Sequence, residues 1–430
     1  MLWNDSRGDA ILMLSLHGYV SAEPELGKPD TGGQVTYVLE MGKQFAQMGY
    51  TVDLVTRQFE DQPECDEVSD RFRVWRIPFG GRDFIRKEDL HDHLDEFVAN
   101  LIARVQQTGR QYAVVYSHYW DAGWAGQQIA DELGLPHVHT PHSLGWWKRT
   151  NMALDMDQAS MENTYRFKER IRKEFLVYRA CQQLIATTDH QTQILQEQYG
   201  VLERHITVIP PGLDEQRFSP VRPEIQRELR ERYQVQPCDI LTVGRMAANK
   251  GYDLLLQAMP TVLTLAPEAR LIAAIGGEHA HRDDPGIAAL KVQAEELGIC
   301  DHIVWTHYIP DDELVDYYRS AAVFSLSSRY EPFGMVAIEA MACGTPTVVT
   351  AHSGLAEVLR FGSQALVADP TRPIEYGSLL ALPLLYPRLA NELSVEGSRF
   401  ARRQFSWTGI ARRVLATFTR VQVHMEGLAI

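Results

Sequence analysis

The segment 321–350 constrains the fold of this chain more than any other stretch. Ala321 to Leu326 is a short apolar run carrying Val and Phe, and Thr347-Val348-Val349-Thr350 is a second; both read as strands buried in a sheet. Between them lies Ser327-Ser328-Arg329-Tyr330-Glu331-Pro332-Phe333-Gly334-Met335-Val336-Ala337-Ile338-Glu339-Ala340-Met341-Ala342-Cys343-Gly344-Thr345-Pro346, which reads as a loop and a crossover helix. A strand, a helix and a parallel strand in succession make the unit of a doubly wound α/β sheet. Pro332 disfavours the α region for the residue before it and is itself tolerated at a helix start. Glu331 therefore belongs to the loop, and the helix is predicted to begin near Phe333. This places Glu331 at the carboxyl end of a strand, the edge where open α/β sheets bind ligands. Glu339 falls inside the helix beside Ala337, Ile338, Ala340 and Met341, where a charge needs a partner. The two read either as surface glutamates, since Glu is usually exposed, or as two acceptors for hydroxyl groups of one ligand.

At 430 residues the chain exceeds one typical domain, and strand and helix patterns run in two series. The first contains the runs Ala10 to Leu16, Thr51 to Thr56, Arg71 to Pro78, Ala113 to Ser117, Pro136 to Thr140, Gln183 to Thr188 and Ile206 to Pro210, and closes on the stiff turn Pro210-Pro211-Gly212-Leu213-Asp214. The second contains Asp239 to Val243, Leu271 to Ile275, His302 to Trp305, the opening element and Ala365 to Asp369. The expectation is an α/β protein of two doubly wound Rossmann-like domains facing each other across a cleft, 1–212 and 213–400. The amphipathic stretch Thr408 to Val421, in a final segment 401–430, either finishes the second domain or crosses back to the first. A formal net charge of −14 opposes nucleic-acid binding and an anionic membrane surface, and no apolar run approaches the length of a membrane span. Five scattered cysteines without metal-ligand spacing, and a polar start without a secretory pattern, point to reduced thiols in a cytoplasmic protein.

Ligand-capable residues collect at the ends of the predicted strands. In the first domain His17, His118 and His142 each follow a strand. Any one of them reads as a loop or buried imidazole, but their recurrence on one edge points to a shared crevice. Asp30-Thr31-Gly32-Gly33-Gln34 precedes a helical pattern and reads as a turn and cap, or as a place where backbone amides approach phosphate or sugar. Arg82, Arg86, Lys87 and Lys148 form a basic set. In the second domain Gly244-Arg245-Met246-Ala247-Ala248-Asn249-Lys250-Gly251 sets Arg245 and Lys250 near a helix N-terminus, where amides and two cations suit a diphosphate. Solvated cations are the plain alternative, which fits either residue alone better than the pair. Hydride transfer and P-loop phosphoryl transfer are disfavoured, because neither G-x-G-x-x-G after the first strand nor G-x-x-x-x-G-K-[ST] occurs. A diphosphate clamp with two hydroxyl-binding carboxylates suits a nucleotide-sugar donor, and the basic set suits a second, anionic reactant. Transfer would run between the domains on closure, with fixed cations stabilising the departing diphosphate.

Taken together these residues resemble a known family. Glu331-Pro332-Phe333-Gly334 through Glu339, with Gly244-Arg245 and Lys250 upstream, is similar to the retaining GT-B glycosyltransferases of the sucrose synthase and glycogen synthase type, over nearly the whole chain. Leu16-His17-Gly18, Asp30-Thr31-Gly32-Gly33-Gln34, Phe79-Gly80-Gly81, His118-Tyr119 and His142-Ser143-Leu144-Gly145 narrow the resemblance to the sucrose-phosphate and mannosylfructose-phosphate synthase group. The resemblance implies catalytic roles for four residues. Arg245 and Lys250 would bind the donor diphosphate, Glu331 would hold the sugar near its 3-hydroxyl, and His142 would contact it near its 6-hydroxyl. Phe333, Gly334, Met335 and Val336 would meet sugar and phosphate largely through backbone, Glu339 would bind the ribose, and Gly33 with Gln34 would lie beside donor and acceptor. Arg82, Lys87, Tyr119, Ser143 and Lys148 would receive fructose 6-phosphate. Sucrose synthases, which take free fructose, have Ala where Ser143 stands and do not need the basic set, so Lys148 argues for a phosphorylated acceptor. Where that group carries a lysine directly after the Gly-Gly pair, this chain has Arg82 and Asp83.

The activity the resemblance implies is that of a sucrose-phosphate synthase. Glucose would pass with retention from UDP-glucose, or another nucleoside diphosphate glucose, to fructose 6-phosphate, giving sucrose 6-phosphate. Attack would come on the face the diphosphate leaves, with Glu331 as positioner and electrostatic stabiliser, in contrast to the nucleophilic carboxylate of retaining glycosidases. The alternatives are a mannosylfructose-phosphate synthase using GDP-mannose, a sucrose synthase acting on free fructose and, in a different class, a non-catalytic nucleotide-sugar-binding protein. No metal or other cofactor is expected to be required, with Mg2+ at most an activator. Nothing after the final helical stretch reads as a phosphatase domain, so a separate sucrose-phosphate phosphatase is an expected partner.

Overall fold

The computed structural model describes residues 10–23, 33–152, 158–276, 285–306, 308–331 and 333–428. Asp30, Thr31, Gly32 and Pro332 fall outside the described residues. The chain divides into two compact units, one formed by Met1–Pro210 with Trp407–Ile430 and the other by Pro211–Ser406.

The first unit is built on strands β1 (Ala10–Leu14), β2 (Thr51–Gln58), β3 (Cys65–Ser69), β4 (Phe72–Pro78), β5 (Tyr112–His118), β6 (His137–Thr140), β7 (Gln183–Ala186) and β8 (Ile206–Val208). Their order in the sheet is β3-β4-β2-β1-β5-β6-β7-β8, parallel except for the antiparallel edge strand β3. β1 sits in the middle, fully buried, with Ile11 level with Val52 on one side and Val114 on the other. Successive strands are added on one side of β1 as far as β4 and on the other side from β5 onward. The switch point, with its crevice at the carboxyl ends, therefore lies between β1 and β5. The helix Trp407–Leu428 belongs to this unit: Trp407, Ile410, Ala411, Val414, Leu415, Phe418 and Val421 recur at helical spacing and pack on Val38, Phe45, Val114 and Tyr116. Phe418 lies edge-on to Tyr116 at 5.1 Å, and the Gln422 amide donates to the Ala113 carbonyl at 3.1 Å.

The second unit holds β9 (Asp239–Gly244), β10 (Arg270–Ile275), β11 (Ile303–Trp305), β12 (Val323–Leu326), β13 (Thr347–Thr350) and β14 (Leu366–Ala368), all parallel, in the order β11-β10-β9-β12-β13-β14. Here the switch point is between β9 and β12, where Leu241 pairs with Phe324. The helix after β12 spans Met335–Ala342 and not from Phe333 as the sequence predicts. Gly334 is left-handed (φ 111°) and ends the loop, and Phe333 turns into the core instead. The helix Tyr252–Leu265 carries Pro260 inside it and continues beyond it, with Val262 still in the core. A 3₁₀ turn, Leu90–Asp92, precedes the helix Leu94–Thr108.

Candidate active site

Two loops of the second unit leave adjacent strands at its switch point. One follows β9 and runs from Gly244 to Gly251; the other follows β12. They are stitched together: the Arg329 amide donates to the Asn249 carbonyl (2.8 Å), the Ser327 hydroxyl to the Lys250 carbonyl (2.9 Å), and the Asn249 amide group to the Tyr330 carbonyl (3.2 Å). The loops pass so closely that a Cβ on Gly251, which has φ 64°, would lie 2.2 Å from the Ser327 carbonyl oxygen, so only glycine fits. This frame delivers Lys250 to Glu331. The ammonium Nζ is 2.6 Å from Glu331 Oε2, with side-chain exposures of 22% and 12%, and the Ser328 hydroxyl donates to the same oxygen at 3.2 Å. The Glu331 backbone is fixed separately, its amide donating to the His352 carbonyl at 3.0 Å. Arg245, on the same loop as Lys250, is exposed, and its carbonyl accepts from the Tyr252 hydroxyl at 3.3 Å.

Phe333 and Gly334 are buried, while Met335 and Val336 are half-buried at the first turn of the helix Met335–Ala342. One turn on, Glu339 is half-buried and accepts from the Tyr318 hydroxyl at 3.0 Å. Burial pushes its carboxyl up to about 7, against the Tyr318 hydrogen bond and the Arg217 charge, which favour ionisation. Glu331 is thus ion-paired with Lys250, whereas burial shifts the titration of Glu339 upward to about 7.

In the first unit Gln34 lies at the β1/β5 switch point. Its amide donates to the Ser15 hydroxyl (3.1 Å) and, more weakly, to the His118 carbonyl (3.5 Å); Gly33 beside it is exposed. His118, at the end of β5, is completely buried, and its Nδ1 contacts Nε2 of His142 at 3.0 Å. His142 follows β6 in a left-handed conformation, φ 56°. Burial keeps both rings neutral, with the His142 ring brought down to about 3. His17 is paired differently, with Nδ1 2.8 Å from the buried Asp121 carboxylate. The structure thus joins two of the three strand-end histidines directly and holds the third through Asp121.

Four completely or nearly buried histidines of this unit, His91, His118, His137 and His139, are held neutral by desolvation well below their unfolded value. Above about pH 6.5 neither state binds the extra proton, whereas below it only the unfolded chain does, so each histidine lowers stability by up to about 1.4 kcal/mol per pH unit as pH falls. Denaturant midpoints are expected to drop clearly between pH 7.5 and 5.5. A midpoint that stays level over that range would contradict this burial.

The loop after β6 is held by residues that the sequence reading did not single out. Glu174 is completely buried, and its carboxylate accepts from the Gly145 amide (2.9 and 3.0 Å), from Arg170 Nε (2.8 Å) and from the Tyr199 hydroxyl (2.5 Å). Tyr199 in turn accepts from the Trp146 amide at 3.0 Å. At the start of the helix Gly145–Met152 the Gly145 amide is therefore satisfied by a distant carboxylate and the Trp146 amide by the tyrosine that this carboxylate holds. Arg170 completes the frame, donating to the Tyr119 hydroxyl and to the Ser143 carbonyl, each at 2.8 Å. The Lys148 ammonium lies 4.7 Å over the Tyr165 ring. The Gly80-Gly81 loop has its own anchor in buried Arg57, which donates to the carbonyls of Phe79, Gly80, Gly81 and Asp83. Of the basic residues on that loop, Arg82 is 85% exposed and lies 4.0 Å from Asp61, and the Lys87 ammonium is 3.6 Å from Glu88. Arg170 and Glu174 carry a sequence signal, their i,i+4 spacing, but that spacing alone marks an ordinary surface pair.

Among the described residues no group of three His, Cys, Asp or Glu side chains could hold a metal ion, and no helix is long and apolar enough to cross a membrane. Comparison with known proteins matches the family described as Glycosyl transferases group 1 to residues 226–397, and Glycosyltransferase Family 4 to residues 31–217. A mannosylfructose-phosphate synthase of Agrobacterium fabrum is 48% identical over 409 residues, covering 94% of this chain and 90% of its own. A D-inositol 3-phosphate glycosyltransferase of Thermobifida fusca is 32% identical over 420 residues, covering 95% and 92%. Among solved structures, sucrose-phosphate synthase from Thermosynechococcus elongatus superposes with a TM-score of 0.80 at 26% identity, covering 96% of this chain and 99% of that one.

Proposed function

The chain belongs to the group 1 glycosyltransferases, retaining enzymes of the GT-B fold, and from that premise we propose that it transfers a hexosyl group from a nucleoside diphosphate sugar to fructose 6-phosphate. The observation that carries the reading is the 48% identity to a mannosylfructose-phosphate synthase across almost the whole of both chains. It favours GDP-mannose as donor and a mannosylfructose phosphate as product. UDP-glucose, giving sucrose 6-phosphate, is the second reading; the 0.80 TM-score to a sucrose-phosphate synthase supports it, at the lower identity of 26%.

In this reading the second unit holds the donor. An ammonium has three donors, so Lys250 can keep Glu331 and still meet a phosphate oxygen, with Arg245 as the second cation. Negative charge grows on the diphosphate as the glycosidic bond breaks, and these fixed cations stabilise it. Glu331, oriented by Lys250 and Ser328, accepts from sugar hydroxyls. The first unit supplies the acceptor site from Tyr119, Ser143, Lys148 and the Arg82 to Lys87 loop, and neutral His142 acts there as a hydrogen-bonding group. Turnover is expected to persist in EDTA, with Mg2+ at most an activator. Glu339 gives a separate signature. Ribose hydroxyls donating to its carboxylate would favour the ionised form and draw its pKa down from about 7. GDP or UDP binding at pH 7 is then expected to release a fraction of a proton and to tighten as pH rises through 7. Calorimetry in two buffers of different ionisation enthalpy reads this, and Glu339→Gln should abolish the release.

The test of the function is a matrix of initial rates: GDP-mannose, UDP-glucose and ADP-glucose, each with fructose 6-phosphate and with fructose. The highest rate is expected with GDP-mannose and fructose 6-phosphate. A clear preference for UDP-glucose would move the assignment to the second reading, and robust turnover of free fructose would reject the acceptor assignment.

A further inference from the structure

We infer that a basic cavity at the amino edge of the first unit's sheet is a second ligand site, built for the phosphate group of a small anionic molecule. The cavity measures about 620 Å³ and lies where β7 and β8 begin, on the opposite edge from Ser15, His118 and His142. Among the described residues Arg179, Gln183, Arg204, His205, Arg420 and His424 line it, and none of those lining it is a carboxylate. Three of these are arginines, and among the described residues none of the three forms an ion pair, in a chain whose 56 Asp and Glu outnumber 42 Lys and Arg. The like charges bear on one another: besides its burial, Arg204 and His424 hold the His205 ring below its usual value, and Arg204 Nε donates to His205 Nε2 at 3.2 Å. Arg420 is braced by Thr207 and Thr417, each accepting at 3.2 Å, and Gln183 by the Thr207 hydroxyl at 3.1 Å. The arginine heads are exposed, so water screens their like charges in the free protein, and a bound anion supplies the counter-charge through charge-assisted hydrogen bonds. The net charge of −14 opposes a polyanionic partner, and a concave site of this volume fits a phosphate or a sugar phosphate.

The cavity is independent of glycosyl transfer, so its test stands whatever the donor proves to be. Inorganic phosphate is titrated into the whole protein by calorimetry and thermal shift, at ionic strength held constant with KCl, for the native chain, for Lys148→Ala/Lys250→Ala, which weakens phosphate binding at the proposed donor and acceptor sites, and for that variant with Arg204→Ala/Arg420→Ala added. Millimolar or tighter binding is expected in the native chain and in Lys148→Ala/Lys250→Ala, with loss of roughly tenfold or more in affinity when the two arginines are also removed, since two charge-assisted hydrogen bonds are removed. The arginines are surface residues, so their removal is expected to leave the thermal midpoint without phosphate unchanged. Three results would overturn the inference: no phosphate binding, binding that the arginine variant retains, or a thermal shift that KCl alone reproduces.

Discussion

Lys250→Ala is expected to lower kcat by about 10²- to 10³-fold, the loss typical of removing one fixed group from a developing oxyanion. Two effects act together. On the proposed reading the departing diphosphate would lose a cation at the N-terminal side of the helix Tyr252–Leu265, and Glu331 loses the partner 2.6 Å away that orients it. Glu331→Gln should cost a comparable factor, because a neutral amide cannot keep the ion pair and its NH2 group donates where a carboxylate oxygen accepts. Since each residue works partly through the other, the double variant should be far less impaired than the product of the single losses. Both side chains are partly exposed, so the folded state should survive, and unchanged denaturant midpoints would confirm that the loss is chemical. Steady-state kinetics that leave kcat within a few-fold of native in either single variant would remove this pair from the mechanism.

Glu174→Leu is expected to destabilise the first unit by about 3–5 kcal/mol, the range for a buried pair broken by removing one partner. Arg170 would keep its charge inside the protein with nothing to balance it, since its side chain is only 4% exposed and that of Glu174 is 0% exposed. The Gly145 amide and the Tyr199 hydroxyl would lose their acceptor as well. Replacing both members, Arg170→Met with Glu174→Leu, should recover much of the stability, because an apolar pair of similar volume carries no desolvation cost. It should not recover the acceptor site. Without the carboxylate, the loop bearing Ser143 and the start of the helix carrying Lys148 lose their tether, so KM for fructose 6-phosphate should rise while KM for the donor stays near native. Faster amide exchange at Gly145 and Trp146 would report the same loosening. A stable double variant with native acceptor KM would show that the pair serves stability alone.

Much of the fold is legible in the sequence because parallel strands covered on both faces must be almost wholly apolar. Thr347 to Thr350 is read to the residue. β3, Cys65–Ser69, escapes because it is a polar, partly exposed edge that exists only by pairing with β4. The placement of the site follows similarly. Glu331 is legible as a strand-end carboxylate and Lys250 as a cation before a helix. Their contact is not, since it joins residues 81 apart through loops that meet only in the folded sheet. Glu174 and Arg57 are hidden for a different reason. Within Phe167–Ala180, the charged run Lys168 to Glu174 looks like a solvated helix face, and Arg57 looks like a polar strand end. Only burial, a tertiary fact, turns these side chains into anchors for loops.

The central claim, hexosyl transfer with retention to fructose 6-phosphate, is tested most directly by NMR of the product formed from fructose 6-phosphate and GDP-mannose. The account predicts a non-reducing disaccharide that still carries its phosphate ester, with the mannosyl anomeric carbon in the α configuration of the donor. An inverted anomeric carbon, or a product in which the sugar is carried by free fructose and not by its phosphate, would contradict it.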